Sequence, residues 1–79
     1  MRATVLVRPK PGILDPQGEA VETALEHLGF TVSGARVGKV IDLEVEAADP
    51  AAVKAQVEQM CERLLANPLI ESYEIEVTG

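Results

Sequence analysis

Residues 40–65, VIDLEVEAADPAAVKAQVEQMCERLL, pass from a strand pattern to a helix pattern. Apolar and acidic residues alternate in residues 40–46, which is typical of a strand with one covered and one solvent-exposed face. Asp49 and Pro50 then predict a helix start, because Asp caps free backbone N–H groups and Pro tolerates the first helical position. The stretch therefore predicts a sheet with a helix packed on it.

The predicted second helix is amphipathic, and the sequence also marks its end. Asn67-Pro68 predicts that end, because the residue before a proline avoids helical geometry. Residues 70–77 alternate again and predict the last strand. The buried stripe predicted for the helix consists of Val53, Val57, Met60, Cys61, Leu64 and Leu65.

The N-terminal half repeats this arrangement. Residues 2–8 predict the first strand, Asp15-Pro16 predicts the start of the first helix, and Gly29 predicts its end. Residues 31–37 predict a weaker strand, interrupted by a glycine. The buried stripe predicted for the first helix consists of Ala20, Val21, Ala24, Leu25 and Leu28.

The predicted order of elements is βαββαβ in one domain, residues 1–79. The expected fold class is α+β: a ferredoxin-like sandwich in which a four-stranded antiparallel sheet carries both helices on one face. A domain this short is marginally stable, so we expect reinforcement by self-association or by docking onto another protein.

Composition argues against several classes of function. Seven basic against thirteen acidic residues give a net charge of −6, which disfavours nucleic-acid binding. Cys61 is the only cysteine and His27 the only histidine, so neither an internal disulfide nor a structural zinc site is expected. We recognise no secretory signal and no membrane-spanning run, and therefore expect a cytoplasmic protein.

The residue pattern suggests no catalytic, cofactor-binding or metal-binding site. Cys61 falls on the apolar stripe of a helix, where a thiol serves as packing. His27 lies near the end of the first helix, where we expect a surface residue that caps the helix rather than a general base. Gly38-Lys39 lacks the glycine-rich stretch and following helix of a phosphate-binding loop. We expect the chain alone to be inactive as an enzyme.

Two surfaces each allow two interpretations. The uncovered sheet face, which includes Leu6 and Val40, is either a solvated face with cross-strand charge pairs or a contact surface. The loop of residues 8–18 is either a stiff connector or a preformed docking loop. Gly18 favours docking, because a glycine in a first helical turn is costly unless something approaches the backbone closely.

Four stretches are distinctive in combination: KPGILDPQG at residues 10–18, LGF at 28–30, VGK at 37–39 and LLANPLIESY at 64–73. Together they resemble the PurS family, the small subunit of the phosphoribosylformylglycinamidine (FGAM) synthase of purine biosynthesis. The resemblance covers nearly the whole chain.

The resemblance implies a non-catalytic subunit that bridges a glutaminase subunit and an ATP-dependent synthetase subunit and assists ammonia transfer. It also implies a homodimer, with a tetramer left open, and ATP and Mg used by the synthetase subunit rather than by this chain. The partner-contact candidates that it implies are Lys10, Pro11, Gly12, Asp15, Gln17, Gly18, Gly38, Lys39, Asn67, Pro68 and Glu71.

Helix capping alone is an adequate explanation for Asp15, Pro16, Asn67 and Pro68. The main alternative is an ACT-like regulatory module, which shares the βαββαβ order, pairs through its sheet and binds an amino acid. A metallochaperone on the same fold would need cysteines in the first loop, which has none. A stand-alone enzyme is the weakest alternative.

Overall fold

A computed structural model describes the whole chain, Met1–Gly79. The elements are β1 Arg2–Pro9, α1 Pro16–His27, β2 Lys39–Glu44, α2 Pro50–Met60 and β3 Glu71–Thr78. The central strand, β1, pairs with both other strands to form one antiparallel sheet of order β2-β1-β3. A π-helical turn, Cys61–Leu65, extends the second helix before the last strand.

The sheet has three strands, so the predicted four-stranded sheet is wrong. Residues 31–37 form no strand. Instead, Val37 donates its N–H to Asp15, and Arg36 donates to backbone carbonyls of the first loop. These bonds hold the end of this segment against the first loop, so it does not pair with a sheet edge. The ACT-like alternative loses the four-strand order on which it rested, whereas the α+β layering remains.

The core lies between α2 and the sheet. Val53 and Val57 of α2 and Cys61 of the π-helical turn have no exposed surface, which confirms most of the predicted stripe. They pack against alternate residues of the central strand, Ala3, Val5 and Val7. Burial of such side chains is the main source of stability in a domain of this size.

The predicted stripe is wrong at Leu64, which is 83% exposed. The reason is the π-helical turn, in which the N–H of Ala66 bonds to the carbonyl oxygen of Cys61. This i to i+5 bonding widens the turn and takes Leu64 out of phase with the α-helical stripe.

Helix α1 begins and ends where the sequence predicts, but it does not pack on the sheet. Asp15 caps its start, and Gly29, at φ +94°, follows its end. Val21 is 42% and Leu28 is 72% exposed, so the predicted buried stripe is uncovered. The prediction that both helices cover one sheet face is therefore wrong for α1.

The molecule is accordingly elongated. Its principal extents are 49 × 25 × 15 Å and its radius of gyration is 15.7 Å. A compact chain of this length would have a radius of gyration of about 12 Å. The excess reflects a helix that leaves the sheet rather than folding back onto it.

The uncovered sheet face carries the predicted cross-strand pairs. Arg2 approaches Glu44 at 3.6 Å, and Arg8 approaches Glu74 at 3.7 Å. Thr4 donates a hydrogen bond to a carboxylate of β2 at 2.9 Å. These pairs are exposed, so each contributes little to stability. Neither helix is both long and apolar enough to pass through a bilayer.

Candidate partner-binding surface

Asp15 joins the start of α1 to the segment that precedes β2. Its Oδ1 accepts a hydrogen bond from the N–H of Gly18 at 3.0 Å, and its Oδ2 accepts one from the N–H of Val37 at 2.8 Å. These bonds, that from Val37 foremost, favour the carboxylate and hold the pKa of Asp15 below its ordinary value of 3.8. The predicted N-cap is confirmed, and it also fixes a distant segment.

Arg36 clamps the first loop from the same segment. Its Nη1 donates to the carbonyl oxygen of Ile13 and its Nη2 to that of Lys10, both at 2.9 Å. The planar guanidinium thus holds two points of the loop three residues apart. No motif or periodicity singles out Arg36, because its partners are backbone carbonyls that any sequence would supply.

Gly18 is buried beneath this segment. A Cβ at this position would clash with the carbonyl oxygen of Ala35. The close backbone approach predicted for Gly18 is therefore made by the chain itself. Gly18 permits the loop and the segment to lie against each other.

Lys10 links the same loop to the end of α2. Its backbone N–H donates to the carbonyl oxygen of Ile70 at 2.9 Å, and its Nζ donates to that of Pro68 at 2.6 Å. Beside it, Glu71 accepts a hydrogen bond from the N–H of Asn67 at 2.7 Å, which closes the turn into β3. Lys10 is thus the residue that joins all parts of this region.

The structure therefore brings together three segments that are far apart in sequence. We call residues 10–18, 36–39 and 67–71 the end surface. It lies where β1 ends and β3 begins, and hydrogen bonds between side chains and the backbone, with one backbone–backbone bond from Lys10 to Ile70, hold all three segments. Both interpretations of the loop, a stiff connector and a preformed docking loop, fit this ordered geometry, so docking remains a prediction.

The predicted contact residues are not equally available on the end surface. Gly18 is buried, whereas Lys10, Asp15 and Glu71 are half-buried and held by internal bonds. The exposed candidates are Pro11, Gly12, Gln17, Gly38, Lys39, Asn67 and Pro68. Contact of any of them with a partner remains a prediction.

Sequence reasoning missed three exposed apolar side chains on the end surface. Leu14 is 71%, Leu69 is 82% and Ile70 is 44% exposed. Isolated exposed apolar residues are ordinary, but these three lie next to polar contact candidates. Their signal in the sequence is an apolar residue within two positions of a proline in or beside a predicted loop.

Two shallow recesses flank Arg36. One, of about 320 Å³, is bordered by the end of β1 and by Gly38 and Lys39. The other, of about 350 Å³, lies between the first loop and α1 and includes Leu14 and Glu19. Both are open on the surface rather than enclosed, which suits a protein partner better than a small apolar ligand.

The remaining reactive groups lie away from the end surface. Burial, followed by the charges of Glu62 and Glu58, raises the pKa of the Cys61 thiol, which keeps it protonated and unreactive. Tyr73 donates its hydroxyl to Glu62 at 2.8 Å, and this bond raises its pKa to about 12. His, Cys, Asp and Glu side chains form no group of three or more that would hold a metal ion.

Comparison with known proteins identifies the family. Residues 2–79 match the family model of PurS, described as phosphoribosylformylglycinamidine (FGAM) synthase. The PurS subunit of that synthase from Methanocaldococcus jannaschii is 44% identical over 77 residues, which are 96% of this chain and 93% of the relative. The PurS subunit from Bacillus subtilis is 42% identical, over 96% and 90% of the two chains.

Solved structures agree. Bacillus subtilis PurS superposes with a TM-score of 0.88 at 40% identity, covering 99% of this chain and 98% of that one. A chain of the PurLQS structure from Thermotoga maritima superposes with a TM-score of 0.85 at 38% identity, covering 95% and 93%. The end surface and the three-stranded sheet thus sit in a chain that belongs to the PurS family.

Proposed function

We propose that this chain is the small subunit of FGAM synthase in purine biosynthesis, where it joins the glutaminase and synthetase subunits. The observation that carries the proposal is its likeness to a chain of the Thermotoga maritima PurLQS structure over nearly its full length. We further propose that it assists ammonia transfer between the two enzymes without catalysing a step.

The end surface supports this role. A surface that is ordered before it binds loses little entropy when it bridges two enzymes. Hydrogen bonds donated by Arg36 and Lys10 and accepted by Asp15 order this one. Ammonia in contact with water becomes unreactive ammonium, so its transfer requires tight packing between subunits. Complementary surfaces provide that packing, and no nucleophile is needed.

We also propose that a second copy of this chain covers α1. The apolar stripe of α1 has no cover within its own chain, and α2 packs chiefly on β1 and β3. The half-buried Ile41 and Leu43 of β2 thus offer sheet surface that a second α1 would cover. Such a dimer would bury the exposed Val21 and Leu28, and burial of apolar surface is the main driving force for association.

The proposal assigns ATP and Mg to the synthetase subunit and no cofactor to this chain. It places the protein in the cytoplasm, where the lone thiol of Cys61 stays reduced.

Reconstitution with the glutaminase and synthetase subunits of the same organism tests the role. We expect glutamine-dependent FGAM formation only when this chain is present, and little dependence on it when ammonium salt replaces glutamine. The isolated chain should show no glutaminase and no ATP-dependent activity. Equal glutamine-dependent rates with and without the chain would contradict the proposal.

Two exposed glutamines provide a matched test of the end surface. Gln17 lies in the first turn of α1 on the end surface, whereas Gln56 lies on α2, away from it. We expect Gln17→Ala to weaken co-purification with the synthetase subunit and Gln56→Ala to leave it unchanged. Lys10→Ala should weaken it further, because Lys10 also ties the loop to Pro68. Unchanged assembly in both Gln17→Ala and Lys10→Ala would remove the docking role.

A further inference from the structure

The recess at the end of β1 is lined by three cationic residues. Arg8, Arg36 and Lys39 border a volume of about 320 Å³. Leu6 and Val40 supply apolar lining. The recess is open rather than enclosed, which suits a side chain presented by a protein better than a drug-sized ligand.

The cations of this recess are incompletely neutralised within the chain. The only two salt bridges of the chain join Arg2 to Glu44 and Arg8 to Glu74, the latter at 3.7 Å, so Lys39 has no carboxylate partner. Both terminal nitrogens of Arg36 donate to neutral backbone carbonyls. Asp15 lies close enough to Arg36 for an attractive Coulomb interaction.

Three cations therefore face two carboxylates, those of Glu74 and Asp15, in a chain whose net charge is −6. Together with Lys10, four of the seven basic residues of the chain lie at this end. A local excess of positive charge attracts a complementary negative group on a partner.

The backbone at Gly38 is part of the same recess. A Cβ at this position would clash with the carbonyl oxygen of Val7, so the chain must pass there without a side chain. The exposed Val40 lies beside Lys39 in this recess. A partner that covers this apolar surface would exclude water from its own carboxylate, which strengthens the attraction to the cations.

We propose that this recess receives an acidic side chain, aspartate or glutamate, presented by another polypeptide of the synthase. The inference rests on the proposed function and adds the chemistry of the contact: Lys39 supplies the unpaired cation, and Arg8 exchanges its exposed pairing with Glu74 for the incoming carboxylate. A second copy is disfavoured as the occupant, because the dimer proposed above uses α1 and the side of β2 that carries Ile41 and Leu43. Leu6 and Val40 of the recess lie on the opposite face of the sheet.

A charge-reversal pair tests the proposal in the reconstituted complex. Lys39→Glu and Lys54→Glu change the net charge equally, but Lys54 lies exposed on α2, away from the recess. We expect Lys39→Glu to raise the Kd for assembly with the other subunits roughly tenfold and to flatten its salt dependence, with little change for Lys54→Glu. Lys39→Met, which keeps length without charge, should give an intermediate Kd.

Other outcomes overturn the proposal. Equal increases in Kd for Lys39→Glu and Lys54→Glu would show that only net charge matters and would contradict the acidic contact at the recess. The proposed function would still stand in that case, provided that the unaltered chain assembles with the other subunits. A change in self-association in Lys39→Glu, measured by sedimentation, would identify a second copy as the occupant. Binding of inorganic phosphate to the isolated chain, lost in Lys39→Glu, would identify a small-anion site. Melting temperatures of the variants establish that each is folded.

Discussion

Helices α1 and α2 have the same sequence design and different surroundings. Each begins at an Asp-Pro pair whose aspartate caps the backbone, and each carries an apolar stripe. Yet α2 buries Val53 and Val57 completely, whereas the only buried residue of α1 is Gly18. The comparison shows that capping and periodicity specify a helix, but not what covers it.

The largest expected difference between the helices comes from a charge placed in each stripe. Val53→Asp would bury an unpaired carboxylate in the core, so we expect a loss of more than about 4 kcal/mol of stability and an unfolded chain. Val21→Asp should leave the chain folded, because Val21 is 42% exposed, but should prevent self-association. Circular dichroism and sedimentation measure the two results. A monomeric and unfolded Val21→Asp chain would mean that α1 packs within its own chain.

Two glycines test how firmly the start of α1 is held against the segment before β2: Gly18 in the first turn of the helix and Gly34 in that segment. Gly18→Ala places a methyl group against the carbonyl oxygen of Ala35, and we expect it to cost about 1–3 kcal/mol because the packed backbone must shift. Gly34→Ala has open space around its Cβ and should be neutral or slightly stabilising. Urea unfolding of both variants gives the difference. Equal stability would show that the loop and the segment separate easily.

The smallest expected effect is on the pKa of Tyr73, which bonds to the π-helical turn at the end of α2. Tyr73 of β3 donates its hydroxyl to Glu62, and the bond to this carboxylate is the largest cause of a pKa near 12. Glu62→Gln removes the negative charge that opposes phenolate formation, so the pKa should fall toward 10.0. Absorbance titration of the single tyrosine reports this shift directly. A midpoint that stays near 12 would show that burial, not Glu62, controls the hydroxyl.

The end surface could be predicted in part. Proline and glycine punctuation marks residues 10–18 and 67–71 as unusual loops, and the family likeness marks Gly38 and Lys39. The convergence of these segments could not be predicted, because it depends on bonds from Arg36 and Lys10 to backbone carbonyls. Such acceptors are present at every residue and leave no sequence pattern.

Local chemistry explains which elements the sequence determined by itself. Alternation specified β1, β2 and β3, aspartate caps specified both helix starts, and the stripe of α2 specified most of the core. Only the tertiary structure decided that residues 31–37 bind the first loop instead of a sheet edge, and that α1 leaves the sheet. In both cases, segments far apart in the sequence compete for the same backbone hydrogen bonds and apolar surfaces. The periodicity of one segment carries no information about that competition.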